Sequence, residues 1–189
     1  MELLRTDRLL LRHWEDADLA AFYDLYSRDD VVRWLGPHPR RPLATLAEAQ
    51  ERLRRWQDHG RGLCDPFGLW AMVLRTADPG PGDSGPGEPI GTLLLLPLSD
   101  GDGPTGLVEV GWHLHPGHQG RGLATEAARA VLALAGEAGI GQVLAITDLD
   151  NVASQRLAAR LGMTDEGVTE RWFGLTARQY RKVISPGAY

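Results

Sequence analysis

The segment Leu107–Leu114 reads as a strand and carries two side chains that can exchange a proton near neutral pH. Side chains alternate between the faces of a strand, so Glu109, Gly111, His113 and His115 share one face while Val110, Trp112 and Leu114 share the other. One face is therefore polar and suited to acid–base chemistry, and the opposite face belongs to a core. Glu109 is a candidate general base, acting directly or through a water, and His113 is a second candidate. The plainer reading of Glu109 is a solvated or salt-bridged strand carboxylate. His113, His115 and His118 also raise the question of a metal, but no acidic or thiol ligand lies near them in sequence, and none is expected.

Just downstream the chain runs Gln119, Gly120, Arg121, Gly122, Leu123, Ala124, Thr125 and then turns helical. A helix starting after Gly122 leaves its first amides without intrahelical acceptors, and its macrodipole adds about half a positive charge there, so an anion such as a phosphate is the natural guest. Glycines at 120 and 122 remove the side chains that would keep a phosphate from those amides. Three charge-assisted amide bonds would contribute about 5–9 kcal/mol, no more than association itself costs, so the ligand must be held elsewhere too. The Walker spacing is absent, and the third small residue of a dinucleotide fingerprint falls on Thr125. A tight turn with no ligand is the alternative.

Gln119, Gly122 and Ala124 fit Q/R-x-x-G-x-G/A, and in this the chain resembles the GNAT N-acetyltransferases, whose loop of that pattern holds the pyrophosphate of acetyl-CoA. NVASQRLAARLGM resembles the Asn-x-x-Ser helix of the same family, with Met163 where Phe is usual. LRTDRLLLRHWEDADL resembles the opening of its RimJ/RimL branch, which acetylates N-termini of ribosomal proteins. The resemblance implies acetyl-CoA as cosubstrate, bound by residues Gln119 to Thr125. It implies a splayed strand whose amides, about His113 to His115 and including Leu114, bond the pantetheine arm and polarise the thioester carbonyl. Asn151 would bond the pantetheine amides; an N-cap is its other reading. Where many members use a tyrosine to protonate the departing thiolate, this chain has Ala158, so Ser154, another segment or water takes that role. The implied acceptor is a protein N-terminal α-amine; a small amine or antibiotic, or a CoA-binding module without catalysis, are the alternatives.

These residues need a frame, and the patterning supplies one. Asp16–Ser27 places Leu19, Phe22, Tyr23 and Tyr26 at helical spacing, and a second helix opens at Thr45 with Glu48 three positions on. Leu69–Arg75 and Ile90–Leu98 read as strands joined by a Gly- and Pro-rich loop over Ala77–Pro89, expected to be mobile. Beyond Leu107–Leu114 come a helix over Thr125–Ala138, a buried strand over Gln142–Thr147, a short helix over Asn151–Leu161, and closing strands over Thr169–Phe173 and Arg178–Ile184. That order predicts one α+β domain over 1–189, a mixed, mostly antiparallel sheet flanked by helices, as in the acyl-CoA N-acyltransferase fold.

Composition narrows the function classes. With 20 Lys and Arg against 25 Asp and Glu the net charge is −5, opposite to that of a domain that lives on nucleic-acid backbones. No apolar run approaches a membrane span, and the charged N-terminus does not read as a signal peptide, so a cytoplasmic protein is expected. Cys64 is the only cysteine, which removes an intrachain disulfide and a cysteine-based zinc site. A homodimer is compatible with all of this.

Overall fold

The computed structural model describes residues 4–75 and 87–184. Eight strands form one sheet: β1 (Leu4–Arg5), β2 (Leu9–His13), β3 (Gly68–Leu74), β4 (Pro89–Asp100), β5 (Gly103–Leu114), β6 (Gln142–Thr147), β7 (Thr164–Thr169) and β8 (Ala177–Val183). Their order across the sheet is β1-β2-β3-β4-β5-β6-β8-β7, and every neighbouring pair is antiparallel except β5 with β6. The mixed, mostly antiparallel sheet expected from the sequence is present. The Gly- and Pro-rich loop lies almost wholly outside the described residues.

The sheet is covered on both faces, as its near-continuous apolar strands require. On one face α4 (Leu123–Glu137) lays Leu123, Ala127, Val131 and Leu132 against Leu93, Leu95, Val108 and Val110. On the other, α1 (Leu19–Tyr26), the single turn α2 (Asp29–Val32) and α3 (Leu46–Arg61) bury Phe22, Tyr26, Val32 and Leu53 over Leu10, Ala71 and Val73. The alternation within β5 thus hands Val110 to the α4 core and leaves Glu109, Gly111 and His113 facing the α1/α3 side. A buried pair anchors the second layer: Arg12 donates to both Asp18 carboxylate oxygens at 2.6 and 2.7 Å, a fork geometry that satisfies each charge.

Several boundaries differ from the sequence reading. Asp16–Asp18 is a 3-10 turn preceding α1, because the Asp18 carboxylate turns back to accept the Glu15 N–H at 2.8 Å. Thr45 caps α3 as expected, accepting the Glu48 N–H at 3.2 Å, while Glu48 reaches back one residue further, to the Ala44 N–H. The strand placed at Thr169–Phe173 is wrong: the edge strand is Thr164–Thr169, and Phe173 sits at φ 58 in a turn that no strand contains. The helix expected over Thr125–Ala138 begins two residues earlier, at Leu123.

Candidate active site

β5 and β6 run parallel from a single Cα pairing, Glu109 with Leu144, and separate beyond it. The gap opens into a cleft of about 1300 Å³ lined by Glu109 to Leu114 from β5, Ala145 to Thr147 from β6, and the N-terminal ends of α4 and α5 (Val152–Arg160). Its outer wall is Tyr26, Arg52, Trp56 and the chain from Asp30 to Arg41. Arg40 closes that wall by pairing with Asp148, just past the end of β6, while its guanidinium also donates to the carbonyls of Arg33 and Gly36. Nothing local in the sequence marks that contact.

The splay determines which amides are available. His115 donates its N–H to Ile90 on the β4 side at 2.8 Å. Alternation then directs the His113 N–H to β4 as well, and the amides of Trp112 and Leu114 toward β6 and the cleft. Of the expected donors from His113 to His115, only the Leu114 amide faces the gap, and the Trp112 amide, which the sequence reading did not single out, faces it as well. The His115 ring is engaged too, its Nδ1 accepting from the Gly117 N–H at 3.1 Å.

At the glycine junction Gly120 and Gly122 lie at φ 74 and 77, left-handed values that a β-branched residue rarely adopts. The first helical hydrogen bond of α4 is Glu126 N–H to Gly122, so the amides from Gly120 to Thr125 have no acceptor among the described residues. Beneath them the Thr125 hydroxyl is buried without a partner. A row of unfilled donors at a helix N-terminus, floored by an orphaned hydroxyl, fits a pyrophosphate. Gln119 stays within the loop, donating to the Leu114 carbonyl at 3.2 Å, and Arg121 approaches the His118 ring.

The loop is braced from the other end of the chain. Glu126 accepts from the Thr6 hydroxyl, the Arg8 N–H and the Arg8 Nε, and Arg8 also donates to the Arg121 carbonyl at 2.9 Å. Arg8→Ala is expected to weaken CoA binding roughly 3- to 10-fold by releasing one strut of the loop, about what a half-exposed charge-assisted bond contributes. Calorimetry with CoA measures it.

On the α1/α3 side Glu109 is half-buried, with no ion pair or hydrogen bond from another described residue. Burial pushes its carboxyl up to about 8. His113 lies four residues on, on the same face of β5, and bonds through Nδ1 to the Tyr26 hydroxyl at 3.0 Å; that hydroxyl also meets the buried Thr92 at 2.6 Å. Burial pushes His113 down to about 4, leaving a neutral ring at pH 7. Asn151 caps α5 by accepting the Ser154 N–H at 3.1 Å, which leaves its amide NH₂ for a guest, and both residues line the cleft. Ala158 is 1% exposed in the α4 core, so that position does not reach the cleft.

A cleft between splayed parallel strands, closed by an anion cradle and faced by a desolvated carboxylate, defines an acyl-CoA-type acyltransferase site. A model described as Acetyltransferase (GNAT) domain matches residues 8–164, and the chain belongs to that family: it is a GNAT N-acetyltransferase using acetyl-CoA. The chain is 27% identical over 172 residues to the N-acetyltransferase YoaA of Bacillus subtilis (strain 168), covering 90% of this chain and 87% of that one. A GNAT-family acetyltransferase from Bordetella pertussis superposes with TM-score 0.70 at 26% identity, over 97% of this chain and 100% of that chain. RimL, a ribosomal-protein α-N-acetyltransferase solved with coenzyme A, superposes with TM-score 0.69 at 18% identity, over 97% and 98% of the two chains. The last likeness is one of fold.

Proposed function

We propose that this enzyme transfers the acetyl group of acetyl-CoA to an α-amine, a protein N-terminus being the favoured acceptor, with Glu109 as the base. The observation that carries the reading is the Glu109 carboxyl, raised to about 8 on the acceptor side of the cleft. An α-amine titrates near 7.7–8, so the two groups exchange a proton at almost no cost, whereas a lysine near 10.4 adds about 3 kcal/mol. His113, pushed down to about 4, would take the same proton at a cost of about 5 kcal/mol and serves better as a neutral wall. The α-N-acetyltransferase activity of RimL on a ribosomal protein agrees with an α-amine acceptor.

Acetyl-CoA supplies the activated acetyl group as a thioester. Residues Gly120 to Thr125 hold its pyrophosphate, Gln119 and Arg121 shape that loop, and Asn151 bonds the pantetheine arm. As the amine nitrogen attacks, its proton passes to Glu109 and the Leu114 and Trp112 N–H groups donate to the developing oxyanion. The carbon–sulfur bond then breaks, and a proton from solvent, relayed through the Ser154 hydroxyl, neutralises the thiolate.

Mixing the protein with acetyl-CoA and a panel of peptides, amino acids, small amines and aminoglycosides, while following thiol release, tests the reading. Peptides with free α-amines should turn over and their N-blocked, lysine-bearing counterparts should not. Turnover confined to lysine side chains or aminoglycosides would overturn the acceptor, and tight CoA binding with no thiol release would favour a binding module.

A further inference from the structure

The outer wall of the cleft is basic although the chain as a whole is acidic. Arg33, Arg40, Arg41 and Arg52 line it, and three of them are already engaged: Arg33 stacks on Trp34, Arg40 pairs with Asp148, and Arg41 pairs with Glu48 at 3.2 Å. Arg52 differs. It is half-buried on α3, and among the described residues no carboxylate lies within ion-pair distance and no acceptor meets its guanidinium. Burial lowers its pKa most; the nearby Tyr26 phenol opposes that shift, and Arg55 and Arg41 lower it further against a smaller opposing effect of Glu48. A guanidinium kept partly out of water, beside like charge and without a partner, is costly unless something arrives to neutralise it.

Its position says what arrives. Trp56 follows Arg52 by one helical turn, about 6 Å along the same face of α3. The Trp56 ring lies 6.2 Å from the His113 ring and 5.2 Å from that of Tyr26. Arg52 therefore stands on the acceptor side, on the order of 10 Å from the amine-accepting face of β5. The phosphate cradle is on α4, on the other side of the sheet, so this cation is not placed for CoA.

We propose that Arg52, with Trp56 beside it, receives a carboxylate carried by the acceptor several bonds from its reacting amine, so that the enzyme selects anionic amines over neutral ones. The inference rests on the acceptor side being the Glu109 face, as proposed above. The carboxylate can come from an acidic side chain next to a peptide N-terminus or from the side chain of a free acidic amino acid. A fork of two N–H donors fits either, and the spacing favours the longer reach of the peptide.

Two matched pairs of acceptors test it: the peptide amides Ala-Asp-Ala and Ala-Asn-Ala, and free glutamate against glutamine. Each is measured by kcat/KM and, independently of turnover, by calorimetric binding to the CoA-saturated protein. The wild type should prefer Asp over Asn by roughly 10- to 100-fold, mostly through KM, the effect of one charge-assisted contact. Arg52→Ala should reduce that ratio to near one, and Arg52→Lys should restore part of it; melting curves identify a variant that has merely unfolded. A preference within the glutamate–glutamine pair but not the peptide pair would assign the site to free amino acids. A wild-type ratio near one in both pairs, or a preference that survives Arg52→Ala, would overturn the proposal. Absence of thiol release with every amine would overturn the proposed function alone, since the binding ratio would still read Arg52.

Discussion

Glu109→Gln lowers turnover at pH 7 by roughly 10²–10⁴, the usual scale for general base catalysis, and leaves the CoA affinity unchanged. The expectation follows from the position of the carboxyl on the acceptor face of β5 and from its displacement, by burial, up to about 8. In the wild type the base must shed its own proton, so the rate should rise with pH and level off above about 8. The variant's defect should shrink only above about 8, because above its own pKa the acceptor amine arrives neutral. A lysine acceptor should suffer more than an α-amine, since the two differ by about 3 kcal/mol in deprotonation cost at pH 7. Turnover equal to wild type at every pH would eliminate the carboxylate as base.

The same substitution has a signature in stability. A carboxyl near 4.5 in the unfolded chain and about 8 in the folded one binds more protons when folded throughout that window. Its contribution is fully present below about 4.5 and is lost as pH rises through about 8. Glutamine cannot ionise, so Glu109→Gln should melt close to wild type at pH 5 and above it at pH 9. A variant that is slower yet more stable in alkali is the mark of a group desolvated for chemistry rather than for packing.

What the sequence made legible was local. The period of two in Leu107–Leu114 placed Glu109 and His113 on one face, and the paired glycines before an apolar helix marked the start of α4 and its unfilled amides, because each signal lies within a dozen residues. The edge strand Thr164–Thr169 escaped because its exposed polar residues carry no apolar alternation, and Val168 turns its one large apolar group to solvent. Contacts that complete the site join residues far apart in the chain: Arg8 with Glu126, Arg40 with Asp148, Tyr26 with His113. Each partner alone reads as a surface charge or a helix stripe. Which amides face the cleft was likewise invisible, since it depends on whether a given N–H in β5 addresses β4 or the gap.

Gly122→Val raises the Kd for CoA at least about 100-fold while costing the fold only a few degrees in Tm. Gly122 holds φ 77 and ψ 2 as the residue before α4, and valine in that region costs on the order of 1–3 kcal/mol. The protein itself has room for the side chain: an added Cβ would meet only the Arg8 guanidinium, at 3.6 Å, an ordinary contact. The penalty therefore falls on the ligand. Relief of the strain turns the 121–122 peptide away from the row of amides, and a branched side chain intrudes where a phosphate must approach within about 3 Å. Losing two of the charge-assisted bonds, at roughly 1.5–3 kcal/mol each, exceeds a hundredfold in affinity. Gly139 provides the control, since it lies at φ 79 after α4, with open space around it and no part in the cleft. Gly139→Val should share the loss of stability and keep the affinity. Equal CoA binding by both variants in calorimetry would mean that the amides of Gly120 to Thr125 do not hold the pyrophosphate.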